Sequence, residues 1–119
     1  MTTEERLIHE VKISNLRSRV TIWIPKSTID AYGNETISYK KGNTVWAYVE
    51  NHATQMYESP SEAHITRKVL IVMRYRPDLK PESRFEVGGS FFKTLGTPID
   101  ALGKHHWTYV ECVSEDKNL

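Results

Sequence analysis

Short segments in which aliphatic residues recur at every second position are the feature that most restricts the fold of this sequence. This period of two runs through residues 20–24, 45–49, 69–75 and 107–113. Side chains along a β-strand point to opposite faces in turn, so each segment predicts a strand. Counting the shorter apolar runs between them, we predict six or seven short strands with very little helix. The sequence therefore indicates an all-β protein, with small barrels and sandwiches as the candidate architectures.

The segments between the predicted strands contain many turn-forming residues. Gly88-Gly89 separates two short apolar runs and predicts a tight hairpin. Residues 26–44 are mostly polar, and we expect a long loop there with turns at 32–35 and 41–43 and an exposed strand between these turns. Residues 51–66 are expected to form a second, irregular loop, in which Ser59-Pro60-Ser61-Glu62 favours a single helical turn.

Composition limits the classes of function. The chain has 119 residues, enough for one domain, and its 16 basic and 15 acidic residues give a net charge of +1. This near balance of positive and negative charge disfavours binding to duplex nucleic acid, which needs an excess of positive charge. We expect one domain over residues 1–119, with residues 1–14 as an N-terminal extension and residues 115–119 as a polar tail. Thr2 and Glu5 have the spacing of a capping box, which predicts a short helix within that extension.

Two further features bear on the cellular location. Cys112 is the only cysteine, so an intrachain disulfide is impossible and a reducing compartment is favoured. Its place in an alternating segment predicts a buried thiol rather than a nucleophile. No apolar run approaches the roughly 20 residues of a membrane helix, and the N-terminus lacks the pattern of a signal peptide. We therefore expect a soluble cytoplasmic domain and no membrane partner.

Enzymatic chemistry has little support in the sequence. His105-His106 with Glu111 nearby could hold a metal, but neighbours in a strand point to opposite faces, so a shared ion is awkward. The chain contains no glycine-rich phosphate loop and no serine elbow. We expect no cofactor and no catalytic residues, and a small metal-dependent enzyme is the least favoured alternative.

Arginine and aromatic residues give the densest polar signal. In the segment Arg74-Tyr75-Arg76-Pro77-Asp78, either arginine could pair with Asp78 or with a neighbouring chain. The same arginines, with Tyr75 and Trp46 as stacking platforms, would suit a β-barrel that binds single-stranded nucleic acid, which is the first alternative function. Tryptophan is enriched at interfaces, so one of the three could lie at a subunit contact.

The order of these features resembles a known family. The elements L-R-x-R-V-T-I (residues 16–22), W-A-x-V (residues 46–49) and I-V-M-R-Y-R-P-D-L (residues 71–79) follow one another as in the head-closure, or head–tail joining, proteins of long-tailed bacteriophages. Later positions, from Arg84 to Pro98-Ile99-Asp100, continue the similarity. Together they span about residues 15–114.

The resemblance implies a structural role without catalysis. Proteins of this kind are small β-barrels with long loops that form a ring, commonly of twelve copies, in the neck of the virion. The ring lies beneath the portal or its adaptor ring, closes the DNA channel after packaging, and presents a surface to the tail terminator or other tail proteins. Phage DNA would be contacted without sequence specificity.

The resemblance also suggests which residues would serve these roles. Residues 51–66 would be the loop that points into the channel, with candidate residues His52, Gln55, Glu58, Glu62, His64 and Arg67. The candidates for contacts with neighbouring subunits or rings are Arg17, Arg19, Trp46, Arg74, Arg76 and Asp78. Two glutamates in the loop would repel phosphate, which suits a plug that DNA must later pass.

Overall fold

A computed structural model describes residues 2–58 and 63–115. One α-helix, α1, precedes seven strands, and two 3₁₀ turns lie at Ile13–Asn15 and Ala101–Gly103. The elements are α1 (Thr3–Glu10), β1 (Ser18–Ile29), β2 (Glu35–Glu58), β3 (Ala63–Arg74), β4 (Arg84–Val87), β5 (Ser90–Thr94), β6 (Ile99–Asp100) and β7 (Trp107–Glu115).

The seven strands form one antiparallel sheet that closes on itself. Their order is β3-β2-β1-β4-β5-β7-β6, and β3 also pairs with β7 from Lys68–Val113 to Arg74–Trp107. The prediction of an all-β protein with about seven strands is confirmed.

The interior of the closed sheet holds the main core. Alternate residues of every long strand point inward, and the strand of strongest alternation, β3, contributes three of them. The buried set comprises Val20, Ile22, Ala47, Val69, Ile71, Met73, Phe85, Phe92, Val110 and Cys112. Burial of the cysteine agrees with its place in an alternating segment.

A second core lies outside the sheet, where α1 covers β3 and β7. Leu7 of the helix is fully buried and packs with Leu70 and Val72, the residues of β3 that point outward. The helix begins as predicted, with the Thr2 hydroxyl accepting a hydrogen bond from the Glu5 amide. Because β3 is covered on both sides from Val69 to Met73, its sequence is apolar on both faces over that stretch.

The predicted glycine hairpin is present between β4 and β5. Gly88 and Gly89 have φ angles of 57° and 83°, the left-handed region that a two-residue turn of this type requires at both positions. A side chain there would be strained, which explains the sequence signal.

The long loop predicted for residues 26–44 is wrong, because β1 and β2 continue as a paired hairpin out to Ile29 and Glu35. The turn at residues 32–35 and the exposed strand around Ile37 are confirmed. Pro25 does not end β1, because β4 pairs with β1 only as far as Trp23, and beyond that point β1 lies at an edge where proline is tolerated.

The turn predicted at residues 41–43 is also wrong, since these residues lie inside β2. A β-bulge occurs here: the register changes between the pairs Thr21–Thr44 and Trp23–Lys41. Gly42 is needed at the bulge, because a Cβ atom would stand 2.7 Å from the carbonyl oxygen of Ile22.

Residues 51–66 are not an irregular loop in the described part of the chain. β2 and β3 remain paired to Glu58–Ala63, with one irregularity between Asn51 and Ala53. The helical turn predicted at residues 59–62 lies outside the described residues.

Candidate assembly surfaces

An apolar groove with two arginines in its lining lies between the segment that precedes β1 and the outer face of β2 and β3. Its volume is about 490 Å³, and a smaller groove beside it shares Trp46 and Arg74. Trp46 is 52% exposed and Ile13 is 62% exposed, although both are large and apolar. The lining residues of the larger groove are Ile13, Leu16, Arg17, Trp46 and Arg74. We call it the Trp46 groove.

Strand register explains why these residues meet. Trp46 of β2 stands opposite Arg19 of β1, and the neighbouring Ala47 points into the core, so Trp46 points outward. The Arg19 guanidinium carbon lies 4.6 Å from the centre of the indole ring, within the range of a cation–π contact. The structure thus brings together four of the predicted interface residues: Arg17, Arg19, Trp46 and Arg74.

The groove has a positive rim. Among the described residues, no carboxylate forms a salt bridge with Arg17, Arg19 or Arg74. The Arg17 side chain donates only to the carbonyl oxygen of Ser14, at 3.0 Å. Partly buried tryptophan with nearby arginine is the composition that protein interfaces favour at their centres.

The remaining two interface candidates form a corner at the end of β3. The Arg76 guanidinium donates to both carboxylate oxygens of Asp78, at 3.3 and 2.9 Å. These hydrogen bonds lower the pKa of Asp78. Of the two partners that the sequence allowed for this arginine, the structure shows Asp78 of the same chain.

A second projecting feature is formed by the ends of β2 and β3. Five residue pairs, from Thr54–Arg67 to Glu58–Ala63, continue beyond the last pair of β2 with β3 and β7 together. At about 3.3 Å per residue they extend roughly 17 Å. We call residues 54–58 and 63–67 the β2–β3 extension.

The channel-loop candidates map onto this extension and its base. Arg67 is placed at the base, where its side chain donates to the Asn51 side-chain oxygen at 3.2 Å and its amide donates to Ser114 at 3.0 Å. β2 contains His52, Gln55 and Glu58, and β3 contains His64. Glu62 lies outside the described residues.

A third feature was predicted only in part, since the sequence interpretation treated residues 26–44 as a loop with one exposed strand. Residues 24–41 form a two-stranded arm beyond the closed sheet. Ile29 and Ile37 are 74% and 54% exposed, and cross-strand pairing places them with Tyr39 on one face. The Arg84 guanidinium covers the Tyr39 ring at 4.9 Å, near the base of the arm. The spacing of Ile37 and Tyr39 predicted the second strand of the arm, but not its pairing with β1.

The residues proposed for a metal site are not gathered around a common point. His105 lies 3.4 Å from Asp100, and its ring stacks on Tyr75 with 4.4 Å between ring centres. Among the described residues, no group of three histidine, cysteine or carboxylate side chains could hold a metal ion. The stacking on His105 also concerns Tyr75, which the sequence offered as a stacking platform for nucleic acid. Tyr75 packs on this histidine and is not a lining residue of the Trp46 groove.

Solved structures with this fold include proteins of phage-like particles. A protein of Shigella flexneri 2a, SF1141, is 28% identical, with a TM-score of 0.65 over 91% of this chain and 100% of that chain. A component of a gene transfer agent virion is 21% identical, with a TM-score of 0.61 over 82% of this chain and 93% of its own. XkdH of the phage-like element PBSX from Bacillus subtilis is 14% identical, with a TM-score of 0.53 and the same coverages.

No curated protein sequence is significantly similar to the chain. Within the described residues, no helix has the length and apolar character to span a membrane. Family membership is shown by the sequence itself, since the match covers residues 11–115. That family consists of structural virion proteins rather than enzymes, which agrees with the predicted role. The chain belongs to the phage head completion protein family.

Proposed function

We propose that copies of this protein form a ring, of twelve subunits in our prediction, beneath the portal or its adaptor ring. The ring closes the DNA channel after packaging and presents a surface to the tail. Family membership supports the head-completion role, and the observation that carries the closure step is the paired β2–β3 extension.

The extension has the length and chemistry that a channel plug needs. A two-stranded hairpin without a covering layer is only marginally stable in water, so it can bend when DNA passes. Its sequence places Glu58 and Glu62 at or near the far end, where carboxylates repel phosphate. The only arginine of the extension, Arg67, stands at its base.

A stable base is the second requirement, because a plug must resist the pressure of packaged DNA. Arg67 fixes the base by hydrogen bonds to Asn51 and Ser114, and its guanidinium lies 5.7 Å from the centre of the Phe92 ring. These contacts join β2, β3, β5 and β7. A force on the extension is therefore passed to the whole closed sheet.

The test is a deletion that shortens the extension without changing its register. Removing residues 55–58 and 63–66 takes four residues from each strand, so Thr54–Arg67 becomes the last pair and residues 59–62 remain as the connection. Four is an even number, and so each remaining side chain keeps its face. We expect the isolated protein to keep its melting temperature, because shortening a loop changes closure entropy only slightly.

Particles made with the shortened protein should contain it in normal amount but lose packaged DNA, measured as nuclease-sensitive DNA after purification. The control is Glu82→Gln, which removes an exposed carboxylate in the turn before β4 and should leave DNA retention unchanged. If the shortened protein is instead absent from particles, while the few particles containing it retain their DNA, the extension is an assembly surface and the closure step is wrong.

A further inference from the structure

The tip of the arm has the chemistry of a ligand rather than of a free surface. Tyr32 is 90% exposed at the turn, and Ile29 beside it is 74% exposed. Asp30 and Glu35 flank the turn and give it two negative charges. The amides of Tyr32 and Asn34 donate to the Asp30 carboxylate, both at 2.9 Å, and these hydrogen bonds lower its pKa.

The Trp46 groove has the complementary chemistry. Its lining is mostly apolar, Arg17 and Arg74 line it as well, and Arg19 lies over the ring of Trp46. Among the described residues, none of these three arginines has a carboxylate partner. An exposed aromatic side chain between two acids would fill such a groove and pair with its rim. Charge complementarity of this kind selects the partner and fixes its orientation.

The arm cannot reach the groove of its own chain. Arg19, which borders the groove, and Ile29, next to the tip, lie ten residues apart on the same paired strand. At about 3.3 Å per residue, this is roughly 33 Å of extended strand. Contact between tip and groove must therefore join two copies.

We propose that the arm tip, Ile29–Glu35, of one copy docks in the Trp46 groove of the next copy. Two different surfaces meet in this contact, so each copy offers a free tip and a free groove to further copies. Repetition of such a contact gives a closed ring or an open chain. The inference rests on the proposed function, because the ring is where the contact would occur, and it names the surfaces that join neighbouring subunits.

Cross-linking between introduced cysteines tests the contact. Ala31→Cys marks the tip and Ser14→Cys marks the edge of the groove; both positions are exposed, and neither side chain makes a described contact. Cys112 is buried, so the unmodified protein is a suitable control. A short bis-maleimide should convert the double variant, in assembled particles, into a ladder of covalent dimers, trimers and larger species. Each single variant should give no ladder.

Charge reversal in the double-cysteine protein supplies the second part of the test. Arg74→Glu should reduce the ladder at least tenfold, whereas Lys104→Glu, an exposed reversal in the turn before β7, should leave it unchanged. Melting temperatures of both variants should match that of the parent, which separates lost docking from lost folding.

Several outcomes overturn the inference. Particles that contain the double variant but give no ladder, or give dimers only, would rule out a tip-to-groove contact between successive copies. Cross-links from Ser14→Cys to a different virion protein would assign the groove to that protein. Single-stranded DNA could instead quench the tryptophan fluorescence. If that quenching is lost at high salt and absent in Trp46→Phe, the groove would be assigned to nucleic acid. None of these results concerns DNA retention, so the proposed closure role stands or falls separately.

Discussion

Cys112 shows at the residue scale how strand position determines chemistry. The thiol is fully buried in the interior of the closed sheet, and its Sγ lies 3.9 Å from the Val110 carbonyl oxygen. Burial, with a smaller contribution from Glu111, raises the pKa of the thiol to about 12. The reactive form of cysteine is the thiolate, and so this residue is a core side chain and not a nucleophile.

We predict that Cys112 in the folded protein reacts with a maleimide or a disulfide reagent far more slowly than an unfolded control. A shift of the pKa from 9.0 to about 12 leaves roughly a thousandfold less thiolate at neutral pH. The unfolded chain ionises the thiol from about pH 9, whereas the folded chain does not. The free energy of unfolding should therefore fall as the pH rises from about 9 to about 12. Rapid labelling without denaturant would contradict the prediction.

Helix α1 shows at the element scale how a short segment is fixed by its contacts. An eight-residue helix is not stable alone in water, so its order depends on packing of Leu7 in the outer core. Glu4 adds two hydrogen bonds, accepting from the Tyr109 hydroxyl and from the Leu102 amide, both at 2.9 Å. Burial, together with the bond to Glu4, raises the pKa of Tyr109 to about 12.

Tyr109 can therefore report on the docking of α1. We predict that Glu4→Gln lowers the pKa of Tyr109, because the carboxylate that favours the neutral phenol is removed. The measurement is a pH titration followed by tyrosinate absorbance. The signal of Tyr109 is the part of the absorbance change that is lost in Tyr109→Phe. Glu5→Gln is the matched control, because it removes a charge one residue away. The Glu5 side chain is exposed, and its described contact is with Thr2 at the start of the helix. This variant should leave the titration of Tyr109 unchanged. Equal shifts in both variants would show a general charge effect instead.

Sequence reasoning was most accurate for elements whose signal is local. The cap at Thr2, the Gly88-Gly89 turn and the alternation of residues 69–73 each depend on neighbours in the chain, and each was predicted. Only the strand around Ile37 was predicted for the arm, because the two strands of the arm pair only with each other and their apolar residues alternate with polar ones that also face solvent. Arg17, Trp46 and Arg74 of the Trp46 groove were named from the sequence as interface candidates, and that role stays a prediction. That these residues lie together depends on strand register, which the sequence does not reveal.

At the scale of the whole molecule, residues 2–58 and 63–115 form a closed sheet with two cores, from which two hairpins project. Packing is concentrated in the sheet, where Ile71 is fully buried, whereas Ile37 on the arm is 54% exposed. Interiors are close-packed, so removing atoms from a buried site leaves a cavity, while an exposed site loses little.

We predict that Ile71→Ala lowers the free energy of unfolding by about 2–5 kcal/mol. Ile37→Ala makes the same chemical change on the arm and should lower it by less than about 0.5 kcal/mol. Chemical denaturation of the isolated protein measures both values. A large loss of unfolding free energy in Ile37→Ala would show that the arm belongs to the cooperative unit of the fold. The apolar face of the arm would then contribute to folding and would not be a free surface for contact with another subunit.

The bulge at Gly42-Asn43 has a consequence for how this protein tolerates insertions and deletions. It adds one residue to β2, and every pair beyond it is shifted by one. Deleting Asn43 would leave Gly42 opposite Ile22 and Lys41 opposite Trp23, so Ile37 would still stand opposite Ser27, on the face of Ile29. Deleting Lys40, inside the paired arm, would instead act as a frameshift acts on a reading frame: Ile37 would come opposite Lys26, on the face away from Ile29. The bulge is therefore a place where β2 can lose one residue and the arm still keeps its apolar face.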